Sequence, residues 1–159
     1  MDWLPFNDLP TREAYDQDEA DAMIENRKKT ILLADDDSSF RFAMATELRS
    51  LGYLVVSAED GQRAMGMMRE SCAPFVDVDL VITDLVMPRK NGIRFCRELR
   101  EVCEEIPILV ITGFMSADIK QALGNMGCTE YLEKPFSPED LVKKVQKLLG
   151  EGEKDAGGI

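Results

Sequence analysis

From Thr30 onward the chain alternates short apolar runs with longer amphipathic stretches. The runs ILLA (31–34), YLVVSA (53–58), DLVIT (79–83) and IPILVIT (106–112) are brief and rich in Val, Ile and Leu, and the segment from Thr129 to Leu132 falls where a fifth strand is due. Runs of that kind fill strands buried on both faces, as in parallel sheets. Between them the apolar spacing changes to three and four residues, the period of a helix with one buried face. FRFAMATELRSL follows Asp37-Ser38-Ser39, QRAMGMMRES follows Gly61, and 91–104 carries Ile93, Phe95, Cys96, Leu99, Val102 and Cys103. DIKQALGNMG and EDLVKKVQKLL complete the set, the last with Pro138 at its first turn, where a missing N–H costs nothing. Strands alternating with helices of this length require right-handed crossovers and a parallel sheet covered on both faces.

Five such units fit a flavodoxin-like, doubly wound α/β sheet of order 2-1-3-4-5. In that order strands one, three, four and five are successive neighbours, and ligands sit at their carboxyl ends. Strand one runs into Asp35, Asp36 and Asp37, strand three into Asp84, strand four into Thr112 and strand five into Glu133-Lys134-Pro135-Phe136. Strand two lies at the sheet edge and supplies only Ala58 and Glu59. One rim therefore gathers Asp36, Asp84, Thr112 and Lys134. Clustered carboxylates repel unless a cation neutralises them, and hard oxygen ligands with open water positions suit Mg²⁺. The Lys134 ammonium and the Thr112 hydroxyl suit a phosphoryl oxygen, one by charge and one by hydrogen bond. Metal, ammonium and hydroxyl around one carboxylate form a phosphoryl-transfer arrangement with Asp84 as acceptor.

Each of these residues also has an ordinary structural reading. Asp84 alone would be a strand-end carboxylate solvating a loop, and Asp37 is expected to be only a helix N-cap. Tyr131 alone would be a half-buried strand tyrosine, and Met65, Met67 and Met68 are expected to pack their helix. Only convergence on Asp84 makes Thr112 and Lys134 a site.

LLADDDSSFR, AEDGQRAM, VITDLVMPRKNG, ILVITG and EYLEKPFSPEDL, in that order, resemble the receiver domain of two-component response regulators over about residues 30–149. The resemblance implies Asp35 and Asp36 as the acidic pair for Mg²⁺, Asp84 as the phosphorylated aspartate and the Val86 backbone carbonyl as a further metal ligand. It implies Thr112 as switch hydroxyl, Tyr131 as switch aromatic, Lys134 as phosphoryl-binding lysine and a cis bond between Lys134 and Pro135. Gly113 stands where the family more often has alanine, and Asn91-Gly92 replaces the common Asp-Gly. The implied function is a phosphoacceptor switch that takes part in its own phosphorylation and dephosphorylation but is not an enzyme. Its implied partners are a sensor histidine kinase or phosphotransfer protein and a downstream protein effector. There is room for a homodimer through the face of the fourth helix, fifth strand and fifth helix.

Composition narrows the alternatives. At 159 residues, with 45 % hydrophobic residues, one well-buried core is expected and two ordinary domains are not. A net charge of −11 argues against nucleic-acid binding. Ile106 to Ile111, interrupted by Pro107, is too short to span a bilayer, and MDWLPFNDLP has neither a basic nor an apolar leader region, so a cytoplasmic protein is expected. Cys72, Cys96, Cys103 and Cys128 form no CxxC and there is no histidine, which argues against zinc and disulfide frameworks and removes Ser-His-Asp catalysis. Asp35-x-Asp37-Ser superficially fits the nucleophile motif of haloacid-dehalogenase-type phosphatases, yet ITGFMS at the fourth strand lacks the later acidic motif of that fold. A scaffold that kept the fold and lost phosphorylation is a third reading, opposed by the full set of phosphorylation residues.

The expected organisation is an acidic, partly helical or mobile extension over 1–28, a receiver over 29–149 and a frayed tail over 150–159. Thr11 is placed to cap a helix running to about Asn26, with a thin apolar face of Ala14, Tyr15, Ala22 and Met23. Trp3, Leu4, Phe6 and Leu9 are too apolar for a solvated tail and are expected to dock on the receiver or a partner. No stretch remains for an output domain, so output is expected through a partner protein or a phosphorelay.

Overall fold

Three strands have no residue turned to solvent. In the computed structural model every position of β1 (Thr30–Ala34), β3 (Leu80–Asp84) and β4 (Ile108–Thr112) is buried, whereas β2 (Leu54–Ala58) exposes Leu54, Val56 and Ser57, and β5 (Glu130–Glu133) buries only Leu132 fully. That pattern identifies the outer strands, and the sheet is parallel in the order β2-β1-β3-β4-β5. The structure describes residues 27–70, 78–87, 91–128 and 130–151, with Asp18, Asp21, Ala22 and Glu25 before them. The crossovers are α1 (Ser38–Ser50), α2 (Gly61–Glu70), α3 (Gly92–Val102) and α4 (Ala117–Asn125), and α5 (Pro138–Leu148) closes the fold.

Period-two alternation divides the strand side chains between two cores. Ile31, Leu33, Leu80, Ile82, Leu109 and Ile111 meet Met44, Ala45 and Leu48 of α1 and Leu141 and Val145 of α5. Leu32, Ala34, Val81, Ile108 and Val110 meet α2, α3 and α4 on the other face through Met65, Met68, Phe95, Leu99 and Leu123. The methionines Met65 and Met68 are buried here and Met67 packs against them, as the helical spacing implies. Cys96 and Cys128 are buried, Cys103 is half-buried, and all three are free thiols; Cys72 lies outside the described residues.

Each helix start has a polar cap that accepts otherwise orphaned N–H groups. Asp37 caps α1, Asn91 α3 and Ser116 α4, while Ser137 and Asp140 form a capping box ahead of α5 with Pro138 at its first turn. Boundaries shift slightly from the apolar pattern. The helix expected over 91–104 spans Gly92–Val102, because Asn91 is its cap and Cys103 turns extended at φ −144°. Asp84 proves to be the last residue of β3, not the first beyond it.

The chain is tied to the body where residues 27–151 begin and end. The Arg27 guanidinium grips Asp79 with two bonds of 2.8 and 2.6 Å, and Asp79 also accepts the Thr30 N–H at 2.8 Å. At the other end the Tyr53 hydroxyl donates to Glu151 at 2.5 Å, so Glu151 is held where fraying from Gly150 was expected. Residues 152–159 lie outside the described residues. So do Trp3, Leu4, Phe6 and Leu9 and most of the helix expected up to Asn26, of which Asp18, Asp21, Ala22 and Glu25 are helical and exposed. Among the described residues no helix is long and apolar enough to cross a membrane.

Candidate functional site

The acidic residues meet because adjacent parallel strands end together. Beyond β1, the Asp35 N–H still bonds the Ala58 carbonyl at 3.1 Å, which holds Asp35 under the rim with only 1 % exposure. Asp36, one residue on, has left that pairing and is exposed. Asp84 ends β3 opposite Ile111 and is 7 % exposed. Carboxylate oxygens of Asp35, Asp36 and Asp84 lie within 4.8 Å of one another.

Lys134 reaches this cluster from the end of β5. Its backbone N–H bonds the Thr112 carbonyl at 2.9 Å, and the peptide that follows, to Pro135, is cis as expected. Its ammonium donates to Asp84 Oδ2 at 2.9 Å and to Asp35 Oδ2 at 3.2 Å. The other oxygens are also used: Asp84 Oδ1 accepts the Val86 N–H at 2.9 Å and Asp35 Oδ1 accepts the Asp37 N–H at 2.8 Å. Asp37 itself turns away to cap α1, as its ordinary reading required.

Burial pushes the Asp35 carboxyl above its usual range and the neighbouring Asp84 adds to this, while the Asp37 N–H and Lys134 pull the other way. For Lys134, burial works against the charge, yet the bonds to Asp84 and Asp35 outweigh it and the pKa rises. The lysine is therefore a persistent ammonium. Three carboxylates facing one ammonium leave excess negative charge, and the all-oxygen donor set fits a hard divalent cation better than a thiophilic one.

Thr112 and Tyr131 have partners other than Asp84. Thr112 is buried, and its hydroxyl accepts the Phe114 N–H at 3.2 Å and donates to the Phe114 carbonyl at 3.0 Å. The hydroxyl is thus engaged by its own loop and is not offered to the carboxylate. Tyr131 is half-buried against the core shared by α2, α3 and α4, with the Lys120 ammonium 5.2 Å from its ring centroid. Val86 and Phe114 are 75 % and 71 % exposed.

Several contributors escaped the sequence reading. Arg41 of α1 bonds the Asp35 carbonyl at 2.6 Å, and the Phe40 ring lies under the Lys134 ammonium. Asp60 is buried and caps α2 through the Arg63 N–H at 2.8 Å, a role that Asp60-Gly61 before an amphipathic run could have signalled. Gly92 approaches β3 so closely that a Cβ there would meet backbone atoms of Asp84 and Leu85.

The family model of the response regulator receiver domain matches residues 31–146. Response regulator MprA of Mycobacterium sp. (strain KMS) is 35 % identical over 127 residues, which cover 80 % of this chain and 53 % of that protein. The probable transcriptional regulator ycf27 of Porphyridium aerugineum is 32 % identical over 123 residues, 77 % of this chain and 49 % of that one. The chain spans about half the length of the curated relatives it matches. Among solved structures, the chemotaxis protein CheY4 of Vibrio cholerae is 32 % identical and superimposes with a TM-score of 0.71 over 77 % of this chain and 100 % of its own. Strand order, the acidic rim and the matched span agree: the chain belongs to the response regulator receiver domain family of two-component signalling.

Proposed function

We propose that this receiver is a phosphorylation-dependent switch in which Asp84 takes a phosphoryl group from the phosphohistidine of a sensor kinase or phosphotransfer protein. The observation that carries the reading is the buried Asp84 carboxylate, bonded to Lys134 at 2.9 Å inside a cluster of two further carboxylates. An Asp84 oxygen forms the new O–P bond as the N–P bond of phosphohistidine breaks. The imidazole nitrogen leaves with the electron pair and is protonated, and Asp84 becomes an acyl phosphate. Asp35, Asp36, Asp84 and the Val86 carbonyl would hold Mg²⁺, which when bound offsets the charge of carboxylates and phosphoryl oxygens. Lys134 then passes from the Asp84 carboxylate to a phosphoryl oxygen. The Thr112 hydroxyl exchanges its Phe114 partners for the same group, and Tyr131 follows inward. That movement shifts an existing equilibrium of the surface built from α4, β5 and α5. Output then passes to a protein effector, to a second copy through that surface or along a phosphorelay, in the cytoplasm, with residues 29–149 as the switch between an extension over 1–28 and a tail over 150–159. The test is phosphotransfer to the full chain from a panel of purified histidine kinases, alongside acetyl phosphate in Mg²⁺. Labelling of Asp84 is expected; no labelling from any donor would overturn the reading.

The electrostatics give a second measurable consequence. Asp35 holds its proton more tightly in the folded chain than in the unfolded one, so its contribution to stability falls as pH rises from the ordinary carboxylate range through the raised pKa. Above that range an ionised Asp35 therefore costs more in the folded chain than in the unfolded one. Asp35→Asn is expected to raise the thermal midpoint by a few degrees in chelator and to shrink the rise that Mg²⁺ produces in the wild type. Scanning calorimetry with and without Mg²⁺ checks both; a lower midpoint in chelator would refute the burial cost assigned to this carboxylate.

Persistence of the signal should follow from Val86 and Phe114, two residues beyond Asp84 and Thr112. Their exposed apolar side chains offer no hydrogen bond to a water approaching phosphorus. The aspartyl phosphate is expected to outlast seconds after donor removal in Mg²⁺, and a Val86→Asn, Phe114→Glu double variant to lose it severalfold faster. Decay of the wild type within seconds, or an unchanged rate in the variant, would contradict this.

A further inference from the structure

Among the described residues, Lys134 is the cation that bonds Asp84. A lysine ammonium is a compact, strongly hydrated charge on a flexible four-carbon stem, and this side chain is 27 % exposed. Two of its contacts are the carboxylates of Asp84 and Asp35. The third comes from α1, where Nζ lies 4.1 Å from the centroid of the Phe40 ring. That ring is itself fixed. Its backbone N–H bonds the Asp37 cap at 3.1 Å, it packs against the core of α1 and α5, and Phe136 meets it edge-on at 5.9 Å and 84°. Phe136 stands two residues beyond Lys134, so the loop that carries the lysine also braces the ring that receives it. Arg41 locks the same turn of α1 to the Asp35 carbonyl at 2.6 Å.

We propose that Phe40 is a positioning residue for phosphoryl transfer, its ring face retaining the Lys134 ammonium in the site while that ammonium changes partner. The proposal rests on the phosphoacceptor reading of Asp84. When an Asp84 oxygen forms its bond to phosphorus and the leaving group departs with the electron pair of the broken bond, the charge that attracted Lys134 moves onto phosphoryl oxygens. Through that exchange only Asp35 and Phe40 keep their contacts with the lysine. An aromatic face attracts a cation without directional bonds, so the ammonium can slide a short way without losing the interaction. A further carboxylate in its place would add repulsion to a cluster that already holds three. An aliphatic side chain would fill the volume and exert no pull.

The test uses the full chain with Phe40 replaced by phenylalanines bearing one, two or three ring fluorines, which drain the ring face of electron density with little change in volume. Labelling by acetyl phosphate in Mg²⁺ is followed by mass, with the thermal midpoint measured in parallel. The rate is expected to fall stepwise with fluorination at a constant midpoint. Phe40→Leu is expected to be about three- to tenfold slower than wild type and Phe40→Tyr close to it. A flat fluorine series overturns the proposal even if Phe40→Leu is slow, because packing alone would then explain the loss. If Phe40→Leu does not fold, the near-isosteric fluorine series decides by itself. A wild type that takes no label on Asp84 overturns the phosphoacceptor reading and this role with it, whereas a labelled wild type with a flat series removes only the role of Phe40.

Discussion

Asp84→Asn is expected to abolish labelling by acetyl phosphate while leaving the fold intact. The amide is nearly isosteric, and its oxygen can still accept the Val86 N–H or the Lys134 ammonium that the carboxylate accepts at 2.9 Å. What it lacks is the anionic oxygen that attacks phosphorus, so the loss should be about 10³-fold or more, beyond detection in an ordinary labelling experiment. Asp36→Asn should behave differently. Asp36 is exposed at the lip of the cluster, and its removal should mainly weaken Mg²⁺ binding, with labelling restored as Mg²⁺ is raised. Intact-mass measurement across a Mg²⁺ titration separates the two variants. Persistent labelling of the Asp84→Asn protein would sink the acceptor assignment.

Gly92→Ala is expected to be strongly destabilising, because among the described glycines Gly92 has the closest backbone neighbours. A Cβ at Gly92 would stand 2.6 Å from the Leu85 Cα and closer still to the Asp84 carbonyl oxygen. Both are backbone atoms, so no flexible side chain can swing away. Gly92 is needed here for space: its N–H bonds the Leu85 carbonyl at 3.0 Å, which pulls the start of α3 onto the end of β3. Either the helix or the strand end must move, at a cost of about 3 kcal/mol by analogy with overpacked cores. The end that moves carries Asp84, so labelling should slow as well, since transfer depends on the placement of the acceptor. Urea unfolding and labelling kinetics on the same protein check the two effects. Unchanged stability would mean that α3 can lift from β3 at little cost.

The architecture was legible because its signals are local. Unbroken apolar runs mark β1, β3 and β4, whose residues have no solvent face, whereas β2 reads as equally apolar and its outer position followed from the strand order alone, its Leu54 and Val56 proving exposed. The site was legible to the extent that topology alone brings strand ends together, which suffices for Asp36, Asp84 and Lys134, whereas Asp35 came from the resemblance. Which member of the acidic run is buried was not legible, since it depends on one backbone bond from Asp35 to Ala58. Phe40 under Lys134 and Gly92 against Asp84 were missed for a related reason. Both are contacts between side chain or backbone surfaces whose partners no periodicity names. The Thr112 hydroxyl is a further case: strand four delivers it to the rim, but the turn at Gly113 and Phe114 gives it backbone partners first.

The two clasps that tie Arg27 and Glu151 to the body set a geometry for anything attached to it. Arg27 grips Asp79 just ahead of β3, and Glu151 accepts from Tyr53 just ahead of β2. In a parallel sheet these are amino ends of strands, so the chain enters and leaves the body on the rim opposite Asp84. Strands of five residues put roughly 17 Å between the two rims. A fluorophore or fused protein placed just outside either clasp starts from the far side of the sheet and leaves the acidic mouth open to a bulky donor. A state change at Asp84 reaches such an attachment only by shifting helices or strands across that thickness.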